Sequence, residues 1–208
     1  VTVRRGQDWG EPGSLEPEDP VAASDQELVA LATAAEPPAL VGLVGGDLHR
    51  TLGGPHRGAE DLRRDGGTRL VVDLGTARLT RPGGGIDVVV FAAHLVVRTG
   101  RGPRFLHHTF MAMNAAFTGP DNLGPRAHPG DGVLDLVEGQ LGRWDLLRSR
   151  RRRRSGTHVP HPGLTERRGR GAVRSFPGGA RVSADGRDAG LAVEVEVEVL
   201  PEAIAVLI

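Results

Sequence analysis

The stretch Met111–Gly139, MAMNAAFTGPDNLGPRAHPGDGVLDLVEG, reads as a strand, a long polar loop and a second strand. Phe110, Ala112, Asn114 and Ala116 alternate with Met111, Met113, Ala115 and Phe117, so small and apolar residues fall on both faces. That pattern predicts a strand covered on two sides. Gly119-Pro120 breaks the run, and the loop beyond it carries Asp121, Asn122, Arg126, His128 and Asp131 before Val133–Val137 resumes a strand. At Asp131-Gly132 the glycine supplies positive φ. The aspartate can then either bond local backbone groups or bind a cation together with nearby carbonyls.

Working outward toward the N-terminus, Ile86–Arg98 reads as one long apolar strand, and Arg69–Thr80 as a strand alternating around Leu70, Val72 and Leu74. Residues 55–68 are polar and read as a linker. Ser24-Asp25-Gln26-Glu27 is a capping box opening a helix that presents Leu28, Leu31 and Ala35 and stops at Pro37-Pro38. Val1–Arg5 alternates like a short strand, and Gly6–Pro20 reads as a loop with Trp9 as its anchor. Leu40–Val44 is a short buried strand running straight into Gly45-Gly46-Asp47. In such a turn glycines let backbone N–H groups approach phosphate oxygens. The aspartate either helps to hold Mg²⁺ or caps the following turn.

Toward the C-terminus, Leu141–Arg154 reads as a short helix. Thr165–Phe176 and Ala180–Ala184 read as strands, and Asp185-Gly186 as a hairpin turn. Leu191, Val193, Val195, Val197 and Val199 alternate with Glu194, Glu196 and Glu198, as in a half-exposed antiparallel strand. Ala203–Ile208 closes as a buried strand.

Composition narrows the function classes. The 208 residues suffice for one domain or two small ones, and Lys+Arg balance Asp+Glu at 26 each, so no overall field draws the chain to nucleic acid or membrane. Every basic residue is Arg, aromatics make up 3%, and cysteine is absent. The last excludes disulfides and thiolate metal sites. A base-stacking surface for nucleic acid is not expected. With neither a membrane-length apolar run nor a signal-peptide core, a cytoplasmic protein is expected.

Several motifs in series resemble the second domain of bacterial diacylglycerol kinase-like lipid kinases. They are Asn114, Gly119, Pro125, Ala127 and Asp131-Gly132-Val133-Leu134-Asp135, then Ser155–Pro162, Ser183-Ala184-Asp185-Gly186 and Val199-Leu200-Pro201-Glu202-Ala203. Their order and spacing cover roughly half of the chain. The resemblance implies an α+β fold: a shortened α/β nucleotide-binding segment over residues 1–60, then a two-layer antiparallel β-sandwich over 61–208. It implies ATP-dependent phosphorylation of a lipid hydroxyl, with Mg²⁺. The alternative is a catalytically inactive module that keeps the fold for binding. An NAD-kinase-like enzyme is the weaker third reading. Nucleotide and lipid are the implied partners, with peripheral contact at an anionic membrane and a homodimer as further expectations.

The resemblance also assigns residues. Gly45, Gly46 and Asp47 match the start of the family's phosphate-binding Gly-Gly-Asp-Gly-Thr signature, with Leu48 and His49 replacing its last two residues and Thr51 the nearest threonine. Leu48 brings a Cβ where the family keeps bare backbone. Asp131, with the carbonyls of His128 and Val133, takes the place of a structural Mg²⁺ site. Asp185 falls in the family's Asp-Gly-Glu, whose Glu is the general base, and is by that resemblance the catalytic candidate. Here Arg187 stands in that position, and a guanidinium cannot accept a proton. Asp188 is the nearest other carboxylate, but hairpin alternation turns it away.

Other candidates have plainer readings. Arg148 and Arg150–Arg154 could attract anionic headgroups or nucleic acid, but read better as the solvated end of a helix. His158 and His161 lie in an extended, proline-bounded segment lacking an obvious third metal ligand. His107 and His108, adjacent on a strand, cannot chelate together. Ser155 and Ser183 read as ordinary turn or strand residues.

Overall fold

The computed structural model describes residues 9–55, 57–101, 103, 106–145 and 162–208. The strand expected over Val1–Arg5, the arginine run, Ser155, His158 and His161, and most of the helix expected over Leu141–Arg154, lie outside them.

Helices accompany a large sheet among these residues. In chain order the elements are β1 (Glu11–Gly13), β2 (Val21–Ala22), α1 (Asp25–Ala32), β3 (Val41–Leu43), α2 (Gly46–Thr51), α3 (Ala59–Asp65) and β4 (Gly67–Thr80). Then come β5 (Ile86–Phe91), β6 (His94–Arg98), β7 (Thr109–Met113), β8 (Phe117–Thr118) and β9 (Asp121–Asn122). The last are β10 (Leu134–Gly139), β11 (Leu164–Gly169), β12 (Gly171–Ala184) and β13 (Arg187–Leu207). The spine of the sheet runs β1-β4-β13-β12-β6-β7-β10-β11, with β5 on β4. All those pairs are antiparallel. Only β3 on β13 and β2 on β3 run parallel.

The chain is therefore α+β, and the antiparallel part is a β-sandwich. Long strands make this possible because they bend. β12 is irregular between Ser175 and Ala180, and β13 between Leu200 and Ile204, where Glu202 takes φ 52°. Such bulges kink a strand and increase its twist. The first half of β13 packs in the sandwich core with Leu95, Val97, Phe110, Ala112, Leu134 and Phe176. Its last residues, Ile204 and Val206, pack with Leu28, Val41, Leu43 and Leu48 of the helical side.

The organising strand fits its reading. All five residues of β7 are buried. Phe110 and Ala112 enter the sandwich core, while Met111 and Met113 enter a separate cluster with Leu123, Ala127 and Val137. The polar loop supplies part of that second cover, so both faces must be apolar. Trp9 anchors its segment on the same loop, its ring centroid 4.5 Å from that of His128.

Five expectations change, the first being that Glu11–Gly13, inside the expected loop, forms β1 and pairs with β4. Residues 55–68 are not all linker, because Ala59–Asp65 forms α3, with the Asp61 carboxylate accepting the Gly58 amide at 3.0 Å. Ile86–Arg98 is two strands, interrupted at Ala92-Ala93 where those amides turn to another partner. Thr165–Phe176 is also two strands, turning at Arg170 between β11 and β12. Leu191 is half-exposed while Ala192 is buried, so the alternation of β13 starts out of phase and is reset before Val195. The β12 bulge lies opposite this change of phase.

Candidate functional site

Two short parallel strands each run into an aspartate at the start of a helix: β2 into Asp25 of α1, and β3 into Asp47 of α2. Ser24 caps α1, its hydroxyl accepting the Glu27 amide at 3.2 Å, while the Glu27 carboxylate accepts the Ala23 amide at 2.8 Å. This fixes Asp25 at the first helical position. Its carboxylate points to the neighbouring turn and accepts the amides of Asp47 at 2.7 Å and Leu48 at 3.0 Å.

Gly45 and Gly46 serve that contact. A Cβ on Gly45 would lie 2.3 Å from the Ala23 carbonyl oxygen, and one on Gly46 2.4 Å from the Asp25 carboxylate. Gly46 also needs its φ of +99°. These glycines thus bring two turns of the chain together, and the amides expected to meet phosphate are bonded to Asp25. Leu48 is fully buried in the helical-side core. Thr51 ties α2 down as well: its hydroxyl donates to the Asp47 carbonyl at 2.8 Å and accepts the Ala116 amide at 3.0 Å. Asp47 itself accepts the Gly119 amide at 2.8 Å, and its other carboxylate oxygen lies 3.9 Å from His94 Nδ1.

A third carboxylate comes from the β12–β13 hairpin. Asp185 and Gly186 form its two-residue turn, both with positive φ, as a turn matched to strand twist requires. The Asp185 carboxylate accepts three amides, from Ala92 at 2.7 Å and from Ala93 and His94 at 2.9 Å each. The break between β5 and β6 frees those N–H groups. Gln26 closes the arrangement by donating to the Asp185 carbonyl at 2.9 Å.

These three acids feel one another. Burial first, and then the charges of Asp185 and Asp47, push the Asp25 carboxyl up to about 7 against the opposing pull of its two amide donors. Burial and then the Asp47 charge push Asp185 up to about 6, despite its three amides. Burial wins in both because removing a carboxylate from bulk water costs its charged form more than these amide dipoles return.

Beside them lies a pocket of about 240 Å³ lined by Gln26 and Val29 of α1, Val89 and Val90 of β5, and the Ala184–Ala189 hairpin. Arg187 and Asp188 both lie on its lining, so Asp188 is not turned away as strand alternation suggested. Asp188 is paired with Arg181 at 2.8 Å and accepts the Gly190 amide at 3.1 Å.

The Asp131 loop lies elsewhere. One Asp131 oxygen accepts the Val133 amide at 3.2 Å, while the other pairs with the Arg168 guanidinium. The His128 carbonyl accepts the amides of Gly130 at 2.9 Å and Asp131 at 3.4 Å. Among the described residues, no three His, Cys, Asp or Glu side chains are arranged to hold a metal ion. The donor set expected at Asp131, His128 and Val133 does not fit a hard dication, because a guanidinium stands against the only carboxylate in it.

The comparisons with known proteins agree with this architecture. Residues 92–208, more than half of the chain, match the YegS C-terminal NAD kinase beta sandwich-like domain. The chain belongs to that family. Similar folds are found in solved structures from Bacillus anthracis str. Sterne. One, described as a candidate diacylglycerol kinase, has TM-score 0.64 at 13% identity, over 91% of this chain and 78% of that one. A second of the same description gives 0.58 at 13%, over 88% and 73%. A diacylglycerol kinase from that strain gives 0.55 at 14%, over 86% and 70%. At such identities the likeness is one of fold. No curated protein is similar enough in sequence to count as a relative.

Within this YegS-like chain, Gly45, Gly46, Asp47 and Asp185 come together, and Thr51 supports them from behind. His128, Asp131 and Val133 belong to the separate loop. Sequence reading missed Asp25, taken only as part of a capping box, and the Ala92-Ala93 amides. The one available signal for Asp25 was positional: like Asp47, it follows a short apolar strand directly.

Proposed function

We propose that the protein is a lipid kinase of the diacylglycerol kinase type, using ATP with Mg²⁺ to phosphorylate the hydroxyl of an amphiphilic alcohol. The supporting observation is the convergence of Asp25, Asp47 and Asp185 beside a pocket walled by Val29, Val89, Val90, Ala184 and Ala189. Apolar walls suit the hydrocarbon next to a lipid hydroxyl. On β5, which contributes two of those walls, Ile86 and Val88 are exposed and offer an apolar surface to a bilayer.

Phosphoryl transfer depends mainly on positioning and charge neutralisation. Mg²⁺ would enter with the nucleotide phosphates, and Asp47, with its side chain 21% exposed, is the one of the three carboxylates that would contribute an oxygen to its shell. When bound, the ion would neutralise phosphate charge. Asp185 and Gln26 fix the hairpin against α1 and so set the pocket's width. Arg187 would pair with an anionic group of either substrate.

A second reading, a binding module that catalyses nothing, is favoured by two observations. Arg187 stands where the resembling kinases keep a base, and Asp188 is already paired with Arg181. The amides of Asp47 and Leu48 are also engaged by Asp25.

Calorimetric titration with ATP·Mg²⁺, of the wild type and Asp47→Ala, tests the proposal when paired with radiolabel transfer to diacylglycerol in mixed micelles. Saturable binding lost in Asp47→Ala, together with labelled lipid, is the expected outcome. Binding without transfer selects the second reading. An absence of binding at millimolar ATP removes the kinase reading.

A further inference from the structure

We propose that Arg168 is a built-in cation for the Asp131 loop, doing in this chain what a bound divalent ion would otherwise do there. Asp135 on β10 and Arg168 on β11 are directly opposite in the antiparallel ladder. From that position one guanidinium serves two carboxylates: its Nε lies 3.0 Å from Asp135, and a terminal nitrogen pairs with Asp131. A planar fork with several fixed donors can do this, whereas an ammonium offers a single charge centre.

The surroundings need a positive charge. Asp135 is 4% exposed, and burial pushes its carboxyl up against the pull of Arg168. Asp73 of β4 reaches the same turn, accepting the amides of Gly132 at 2.7 Å and Glu202 at 2.9 Å. The Asp131 charge helps burial to raise it. Asp131 and Asp135 thus share one guanidinium, while Asp73 ties the same turn to β4 and the β13 bulge through backbone amides. The nearby Arg126 is paired with Glu166 at 2.8 Å. Without Arg168, Asp131 and Asp135 lose their shared counter-charge, and a hard cation from solution, held by those two carboxylates and loop carbonyls, is the charge that would replace it. With it, a dication at Asp131 would face a guanidinium at hydrogen-bond range, and the repulsion excludes it.

The inference stands apart from the kinase reading, since it concerns another part of the molecule and is read out by stability. Thermal unfolding of the wild type, Arg168→Gln and Arg168→Gln/Asp131→Asn would be followed in EDTA and in millimolar Mg²⁺ or Ca²⁺. The wild-type Tm is expected to be indifferent to both. Arg168→Gln should melt lower in EDTA and recover at least half of the loss with either ion, and the double variant should not respond. An Arg168→Gln loss that neither ion recovers, or no loss at all, overturns the proposal. If Arg168→Gln does not fold, calorimetry of the wild type with Ca²⁺ decides. Binding abolished by Asp131→Asn would show that a metal holds the loop, whereas Asp131-independent behaviour supports the guanidinium.

Discussion

Asp25 and Asp185 show how a residue's surroundings reset its chemistry. An aspartate in the unfolded chain ionises near 3.8, but in the folded protein Asp25 does so at about 7 and Asp185 at about 6. Between those values the folded state binds more protons than the unfolded one, so rising pH removes stability. The unfolding free energy should therefore fall by about 4 kcal/mol between about pH 5 and pH 8, Asp25 contributing the larger share. Denaturant titrations across that range measure it, and Asp25→Asn should flatten the profile. A stability that rises through this window would contradict the raised carboxyls. Neither shift was legible from sequence. Ser24 and Glu27 announced a helix start, but nothing local said that residue 25 would face residues 47 and 185.

At the scale of elements, the turn into α2 is set by its contact with the turn into α1. Gly46→Ala meets both an unfavourable φ of +99° and the Asp25 carboxylate at 2.4 Å. Gly53→Ala shares a positive φ, +75°, but nothing lies within 4 Å of its Cβ. The first variant should cost about 2–3 kcal/mol and lower Tm by roughly 5–10 °C. Gly53→Ala should cost about 1 kcal/mol. Equal losses in calorimetric scans would mean that the Asp25 contact contributes nothing. The same scale explains the misread strand at Ile86–Arg98. Its β-branched run fits one continuous strand, yet Asp185 draws off the amides of Ala92, Ala93 and His94, and the ladder breaks there.

For the whole molecule, the two-sided burial of β7 is the testable feature. Phe110 and Met111 point into different clusters, and both are fully buried. Phe110→Ala should cost about 3–5 kcal/mol and Met111→Ala about 2–5 kcal/mol in denaturant unfolding. In a sheet wet on one face, one of the two would be nearly silent. The sequence by itself determined this two-sided strand, the Asp-Gly hairpin, the capped first helix and the guanidinium of Arg187, which cannot accept a proton. Each of these follows from side-chain periodicity, backbone conformational preference or the chemistry of one residue. Only the tertiary structure decided that Asp25 joins Asp47 and Asp185, and that Arg168 stands against Asp131. These partners lie tens to more than a hundred positions apart in the chain. Strand pairing and the bends in β12 and β13 bring them together, and no local pattern encodes such a meeting.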